Sequence, residues 1–257
     1  MTLHENFIAY YTILVKEIRR FSRIWIQTIV PAMVTTALYF IIFGHLIGEQ
    51  IGDMEGFSYL DYIVPGLIIM SIITNSYANV VSSFYSAKFQ RNIEEMLISP
   101  TPNYIILLGF VSGGVARGLS VGVAVTIVAS FFSTLQADHF LVVISIAILT
   151  AILFSLAGFI NGVFAKSFDD ISIVPTFVLA PLTYLGGIFY SITVLPEFWQ
   201  TVSLANPILY MVNAFRYGVL GASDISLWLS YTIIIGFIIA LFGVSLYLLE
   251  KGHGIRT

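Results

Sequence analysis

The sequence has no cysteine and few charged residues. Without cysteine the chain forms neither a disulfide nor a thiolate metal site, and its redox compartment stays undecided. Charged residues make up 10% of the 257 positions and hydrophobic residues 58%, whereas soluble domains carry roughly 25% charged residues. This composition predicts a membrane protein.

Motifs for catalysis and for metal or nucleotide binding are also missing. There is no G-x-x-x-x-G-K-[ST] loop, no H-E-x-x-H and no H-x-x-x-H pair. The acidic residues fall in loops or at predicted helix ends, which disfavours a carrier driven by an ionisable group near the bilayer midplane. We therefore expect no catalytic residue, no metal, no cofactor on this chain and no nucleic-acid partner. The histidines are scattered over loops and ends, at His4, His45, His139 and His253.

Six charge-free runs are long enough to cross a hydrocarbon core of about 30 Å as helices. They predict an all-α membrane protein with six transmembrane helices in a single domain, 1–257. The first run is longer than the apolar region of a signal peptide, so we expect it to stay as an anchor. The runs are Ile24–Gly48, Tyr62–Ala87, Gly118–Ala137, His139–Ala165, Ile171–Pro196 and Ile225–Leu249.

The basic residues set the predicted orientation, because loops rich in Lys and Arg stay in the cytoplasm. In the six-span arrangement almost all of them share one face, which places both termini in the cytoplasm. Arg216 is the one basic residue on the outer face. The residues on the inner face are Lys16, Arg19, Arg20, Arg23, Lys88, Arg91, Lys166, Lys251 and Arg256.

Arg117 conflicts with a single helix through the apolar run 104–137. A charge near mid-bilayer costs at least about 2.5–3.5 kcal/mol. We therefore expect a short connecting helix, Tyr104–Ala116, and a span that begins near Arg117. Arg117 would then extend to the cytoplasmic interface; the alternative is a buried functional ion pair.

The N-terminal segment 1–23 has apolar residues at helical spacing, among them Phe7, Tyr11 and Leu14. Its basic residues lie on the opposite face. This pattern predicts an amphipathic helix along the inner leaflet, with its cations facing anionic lipid headgroups.

Glycines recur at every fourth position, a spacing that lets another helix approach closely. We expect them to pack within the bundle, and the alternative is a homodimer contact. The positions are Gly114, Gly118, Gly122, Gly158 and Gly162.

The loop 88–103 is charged and ends in two prolines. A short helical core, Phe89–Ile98, is followed by Ser99-Pro100-Thr101-Pro102, and each proline disfavours helix in the residue before it. Such a helix can dock on a soluble partner. The contact residues that we expect are Arg91, Glu94, Glu95 and Met96, with Leu97 and Ile98 as further apolar contacts.

Two groups of motifs resemble the permease subunits of type-2 ATP-binding-cassette (ABC-2) transporters. The first is Ile93-Glu94-Glu95-Met96-Leu97-Ile98-Ser99-Pro100, which resembles the family's ATPase-contacting coupling helix. The second includes Leu185-Gly186-Gly187, Leu195-Pro196-Glu197-Phe198-Trp199 and Ala205-Asn206-Pro207, around span five. The resemblance covers nearly the whole chain.

This resemblance implies a dimerising α-helical permease in the bacterial inner membrane. It further implies two copies of a separate cytosolic ATPase, which would carry the ATP and Mg. The substrate would be amphipathic, drug-like or lipid-linked and would move by alternating access. The competing hypothesis is an ATP-independent carrier or a membrane scaffold whose cytoplasmic loop binds a regulator.

The resemblance also implies an outer re-entrant hairpin over 196–215. The charge-free run Phe198–Phe215 is short for a span and is interrupted by Asn206-Pro207, which favours two short helices. A seven-span alternative is disfavoured because it moves Lys251 and Arg256 outside. The residues that we assign to this hairpin are Pro196, Trp199, Asn206, Pro207 and Arg216.

Two further sets of residues are candidates for function. Asp169 and Asp170 lie in the second cytoplasmic turn, where a solvated helix start is favoured over a gating contact. Amide and tyrosine side chains on the span faces could line a substrate path, because an amide facing lipid would lack a hydrogen-bond partner; interhelical hydrogen bonding is the alternative. These residues are Asn75, Asn79, Asn161 and Tyr184.

Overall fold

The apolar runs fold as long helices even where they contain proline, as Pro31 within Trp25–Tyr39 and Pro65 within Tyr59–Phe89 show. The structure is a computed structural model that describes residues 2–134, 137–252 and 254; His253 and Arg256 lie outside these residues. The helices are α1 (Leu3–Arg23), α2 (Trp25–Tyr39, continued by the π-helical Phe40–Ile47 and a last turn Gly48–Ile51), α3 (Tyr59–Phe89), α4 (Asn92–Ile98), α5 (Asn103–Ala129), α6 (Phe140–Phe164), α7 (Asp170–Val174, Pro175–Leu179 and Ala180–Tyr184), α8 (Glu197–Leu204), α9 (Pro207–Leu220) and α10 (Leu227–Lys251).

Five of these helices are long and apolar enough to cross a membrane: α2, α3, α5, α6 and α10. The runs predicted as spans one, two, four and six are therefore confirmed as helices of spanning length. Their ends differ from the predicted ones by a few residues. The largest addition is at α3, which continues to Phe89.

The predicted break before Arg117 is wrong. Asn103–Ala129 is one continuous helix of 27 residues with Arg117 near its middle, and the span predicted to reach Ala137 ends at Ala129. The helix continues because its glycines pack closely against neighbouring helices. Arg117 itself lines a polar groove, described below, so its charge is not in contact with lipid alone.

Span five is shorter than predicted. The apolar helix ends at Tyr184 instead of Pro196. Its 15 residues, about 22 Å at 1.5 Å per residue, fall short of the hydrocarbon core. Gly187 has a φ of +71°, which turns the chain away from the helix axis. The described residues thus hold five candidate spans and one shorter apolar helix where the sequence predicts six spans.

Helix α3 lies at the centre of the bundle and packs mainly against α5 and α6. The glycine rows make this packing possible. A Cβ at Gly158 would lie 2.5 Å from the carbonyl oxygen of Tyr77, and a Cβ at Gly122 would lie 2.7 Å from the Ile72 side chain. These contacts confirm that the glycines pack within the bundle.

The predicted N-terminal helix is confirmed as α1. Thr2 and Glu5 form a reciprocal capping box at its start. The face that packs against α5 buries Ile13, Glu17 and Phe21. The aromatic side chains Phe7 and Tyr11 lie on the exposed side and stack on each other at 6.3 Å.

Candidate functional site

The loop 88–103, predicted to be cytoplasmic, contains a separate helix, α4, and differs from the prediction at its start. Phe89 ends α3, and Arg91 adopts a left-handed conformation with φ of 60°. The predicted helical core Phe89–Ile98 is therefore interrupted by a turn at Gln90 and Arg91. The helix ends at Ile98, before the two prolines, as predicted.

The residues predicted to contact a partner divide between two faces of α4. Arg91 and Glu95 are exposed, Glu94 is half-buried, and Ile98 is 86% exposed. Ile93 is fully buried, and Met96 and Leu97 pack against the core cluster beneath it. Met96 therefore anchors the helix, and the outward contacts belong to Arg91, Glu95 and Ile98.

Two exposed phenylalanines extend this surface onto the turn between α6 and α7. The rings of Phe89 and Phe168 lie 5.3 Å apart, and Tyr85 lies 4.8 Å from Phe168. Phe89 is 65% exposed and Phe168 52%. Sequence analysis missed both, although two phenylalanines in charged turns on one predicted face were a visible cue. After the role that is proposed for it below, we call the surface formed by Phe89, Arg91, Glu95, Ile98 and Phe168 the coupling surface.

The coupling surface is joined to the end of α6 by side chains of α3. The Lys88 ammonium donates to the carbonyl oxygens of Val163 (2.7 Å) and Ala165 (2.8 Å). The Tyr85 hydroxyl donates to the carbonyl oxygen of Lys166 at 2.9 Å. The last carbonyls of a helix lack partners within it, so Lys88 completes the end of α6 while it fixes that end to α3.

The turn that contains Asp169 and Asp170, predicted to be cytoplasmic, leads into α7. One carboxylate oxygen of Asp170 accepts from the backbone amides of Lys166 (2.8 Å) and Ser167 (3.1 Å). These hydrogen bonds, with the Ser167 side chain, lower the pKa of Asp170. Asp169 is exposed at the N-cap position. The turn therefore has the geometry of a hydrogen-bonded helix start.

An ion pair within α1 is joined to α3 by hydrogen bonds. Glu17 has no exposed surface, and its carboxylate binds Arg20 (3.3 Å) and the Ser83 hydroxyl (2.7 Å). Arg20 also donates to the side-chain and main-chain oxygens of Asn79, at 2.8 and 2.9 Å. Sequence analysis missed Glu17, whose cue was an acidic residue three positions before Arg20 on an otherwise cationic helix face.

The four residues predicted for a substrate path do not form one site. Asn75 is half-buried beside Arg117, whereas Asn79 is fully buried and bound to Arg20. Asn161 donates to the carbonyl oxygen of Ile171, and thereby links α6 to α7. Tyr184 lies at the end of α7 and is half exposed.

A polar groove of about 360 Å³ lies between α2 and α3. Arg117 of α5 lines it, and the Arg117 guanidinium donates to the Asn75 side-chain oxygen at 3.4 Å. Its Nε atom is buried without a hydrogen-bond partner. Among the described residues, no acidic side chain forms an ion pair with Arg117.

Two short helices, α8 and α9, follow α7 and meet at Asn206-Pro207, the point predicted for the turn of the hairpin. Asn206 caps α9 by accepting from the Ile208 amide at 3.0 Å, and its amide donates to the carbonyl oxygen of Leu182 at 2.6 Å. Pro207 is the first residue of α9, which continues to Leu220 instead of ending at Phe215. Pro196, the residue just before α8, and Trp199 on α8 are both exposed.

Arg216 of α9 is buried beneath the predicted outer loop. Its guanidinium lies 3.9 Å from the centre of the Tyr62 ring and donates to the carbonyl oxygen of Gly187 at 2.6 Å. Asp224 binds the Ser191 hydroxyl at 3.1 Å. A hydrogen bond to Asp224, together with partial burial, raises the pKa of Glu55 in the same region.

Comparison with known proteins identifies the family. The family described as ABC-2 type transporter matches residues 8–220. The chain is 57% identical over 255 residues to "Inner membrane transport permease YadH" of Escherichia coli strain K12, covering 99% of this chain and 100% of that protein.

More distant relatives carry another name. "Nodulation protein J" of Rhizobium leguminosarum bv. viciae is 22% identical over 227 residues, 88% of each chain. The protein of that name from Neorhizobium galegae is 24% identical over 217 residues, 83% of this chain and 82% of its own length. Because the family match covers most of the sequence and the Escherichia coli relative matches it almost from end to end, this protein belongs to the ABC-2 type transporter family, as a membrane permease.

Proposed function

We propose that this chain is the permease subunit of an ATP-binding-cassette exporter in the bacterial inner membrane. A separate cytosolic ATPase, carrying ATP and Mg, would dock on the coupling surface. The observation that carries this proposal is the composition of that surface: a cation, a carboxylate and three exposed apolar side chains, at the end of α3, on and just before α4 and in the turn before α7. Aromatic and Arg side chains are enriched at the centres of protein interfaces.

The contacts behind the surface support a role in coupling. A displacement of α4 by the ATPase would act on α3 directly and on α6 through Lys88 and Tyr85. The turn that carries Phe168 leads straight into α7. Movement at the docking face would therefore reach three helices of the bundle, as alternating access requires.

We further propose a homodimer with two ATPase copies and with both termini in the cytoplasm. Helices α2 and α10 bury only 17% and 22% of their most apolar segments within one chain, so most of their surface is left for lipid or a second copy. In this orientation α1 lies on the inner leaflet, and α8 and α9 form the outer hairpin. The name of the Escherichia coli relative, an inner membrane transport permease, supports the location.

Purification from native membranes in mild detergent tests the docking proposal. We expect a P-loop ATPase to copurify with the wild-type chain and to hydrolyse ATP. The double variant Glu95→Lys/Ile98→Asp should lose the ATPase, because both side chains point away from the bundle and their loss leaves the fold intact. The matched control is Glu197→Lys, an exposed carboxylate on α8.

An ATPase that stays bound to the double variant would contradict docking at this surface. A wild-type chain that purifies alone, under conditions that preserve a known complex of this kind, would favour an ATP-independent carrier or a scaffold. The Glu197→Lys variant should copurify with the ATPase as the wild-type chain does.

A further inference from the structure

The groove between α2 and α3 has polar walls around one cation. Its volume of about 360 Å³ lies in the range of ligand pockets, roughly 300–1,000 Å³. The hydroxyls of Thr28, Ser71 and Thr74 donate to carbonyl oxygens of their own helices. Toward a ligand they can therefore act only as hydrogen-bond acceptors. Gln27 and Thr35 add neutral donors, and Arg117 is the one charged side chain among the described residues that line the groove.

The Arg117 guanidinium is poorly satisfied by the protein. It has five N–H donors, yet its described hydrogen bond is a long one, 3.4 Å, to Asn75. Its Nε atom is buried without a partner. A charged group away from bulk water is costly unless it is paired and hydrogen-bonded.

The surroundings of Arg117 carry surplus positive charge. The charge that acts on it is another cation, Arg20, and the repulsion between them is unfavourable. The buried carboxylate of Glu17 is already bound by Arg20 and Ser83. Glu17, Arg20 and Arg117 together therefore hold one more positive charge than negative, and an anion in the groove would balance it.

We propose that this groove binds an amphipathic anion whose phosphate or carboxylate pairs with Arg117. Arg is suited to this task because its planar guanidinium binds such groups with two parallel hydrogen bonds. The apolar part of the ligand would lie against Pro31, Leu67 and Met70, which also line the groove. This inference rests on the proposed function and assigns its substrate class; an anionic lipid of the bilayer offers the same chemistry and is the second source of such a ligand.

Binding to the purified permease, without any ATPase, tests the proposal. The probes are dodecyl phosphate and dodecyltrimethylammonium, added to the protein in an uncharged maltoside detergent, with affinity measured by calorimetry. We expect dodecyl phosphate to bind, and Arg117→Gln to weaken it at least tenfold while Arg117→Lys keeps part of the affinity. The matched control Arg19→Gln removes an exposed cation of α1 and should stay within twofold of wild type.

A second pair of variants keeps the test decisive if Arg117→Gln misfolds. Thr35 is exposed and lines the groove, whereas its neighbour Val34 is exposed and does not. Thr35→Phe should obstruct the groove and weaken dodecyl phosphate binding, and Val34→Phe should leave it unchanged. Equal affinity in both variants, or equal binding of the cationic probe, would overturn the proposal.

The source of the anion is distinguished in lipid nanodiscs. If a bilayer lipid occupies the groove, phosphatidylglycerol discs should suppress dodecyl phosphate binding and phosphatidylcholine discs should not. If the groove binds a transported molecule and no bilayer lipid, dodecyl phosphate should bind in both kinds of disc. Because the ATPase is absent throughout, failure of the docking proposal would leave these affinities unchanged.

Discussion

The Lys88 ammonium donates a hydrogen bond of 2.7 Å to the carbonyl oxygen of Val163. This bond joins the cytoplasmic end of α3 to the last turn of α6. It lies directly behind Phe89 of the coupling surface, so a force on that surface acts on two long helices at once. The contact explains why a lysine with no acidic partner among the described residues occupies this position.

Replacing Lys88 by Met should uncouple transport from ATP hydrolysis. The variant keeps the length of the side chain but loses hydrogen bonds from a charged donor, each worth about 1.5–3 kcal/mol. Because Lys88 lies behind the docking face, the ATPase should still copurify, while transport-linked ATP hydrolysis falls several-fold. Lys251→Met, at the exposed end of α10, is the control and should behave as wild type. Loss of the ATPase from Lys88→Met would show that Lys88 acts in docking.

A methyl group at Gly158 should destabilise the bundle. Its Cβ would lie 2.5 Å from the carbonyl oxygen of Tyr77, so α3 and α6 must separate, at a cost of about 1–3 kcal/mol. We expect Gly158→Ala to lower the melting temperature in detergent by several degrees. Gly236→Ala is the matched control, because no atom lies within 4 Å of the added group. It should raise the melting temperature slightly, since Ala favours helix by about 0.8–1.0 kcal/mol over Gly; equal effects of the two changes would contradict the packing.

The long spans could be predicted from the sequence because hydrophobicity and length suffice for them. Arg117 and the end of span five could not. The free-energy penalty that led us to expect a break before Arg117 assumes that a charge in mid-helix contacts lipid. No local sequence pattern shows that Thr and Asn side chains of α2 and α3 surround Arg117. Hydropathy likewise continues past Tyr184, whereas the helix ends there because Gly187 turns the chain.

The candidate site was also predicted in part. The charged loop before Pro100 predicted the helix α4. Which side chains of α4 point outward depends on which of them pack into the core. Met96 and Leu97 pack inward while Ile98 does not. The spacing of Glu17 and Arg20 was a cue to their pairing, but the burial of Glu17 against Ser83 was not predictable, because Ser83 is 66 positions away in the sequence.

Replacing Glu17 by Gln should loosen α1. The change leaves Arg20 without its carboxylate, and breaking a buried pair costs about 3–5 kcal/mol; since Arg20 is partly exposed, we expect the lower end of that range. Backbone amides of α1 should then exchange with deuterium faster, as measured by mass spectrometry. Glu5→Gln is the control, because Gln also completes a capping box. Unchanged exchange in Glu17→Gln would contradict the anchoring role.

The outer region should become less stable as the pH rises. The pKa of Glu55 is raised above its ordinary value of 4.5 by its hydrogen bond to Asp224 and by burial. The protonated form is therefore the one that the folded state favours, and this stabilisation is lost as the pH rises through the raised pKa. The melting temperature should fall over that interval in the wild-type chain. The fall in melting temperature should be smaller in Glu55→Gln, whose side chain at position 55 cannot titrate. The control is Asp53→Asn, an exposed change in the same loop, in which the fall should equal that of the wild type. An equal fall in the wild type and in Glu55→Gln would refute this assignment.

The docking of an ATPase on α4 is tested most directly by cross-linking, because the chain has no cysteine of its own and one introduced cysteine is unique. Glu95→Cys lies on the coupling surface, and Trp228→Cys, at a position 85% exposed, lies at the far end of the bundle on α10. In native membranes treated with a short cross-linker that carries a maleimide at one end and an amine-reactive ester at the other, the thiol of Glu95→Cys should become linked to a lysine of a P-loop ATPase, and that of Trp228→Cys should not. An ATPase that copurifies with both variants but reacts only with Trp228→Cys, or with neither, would contradict docking on this surface.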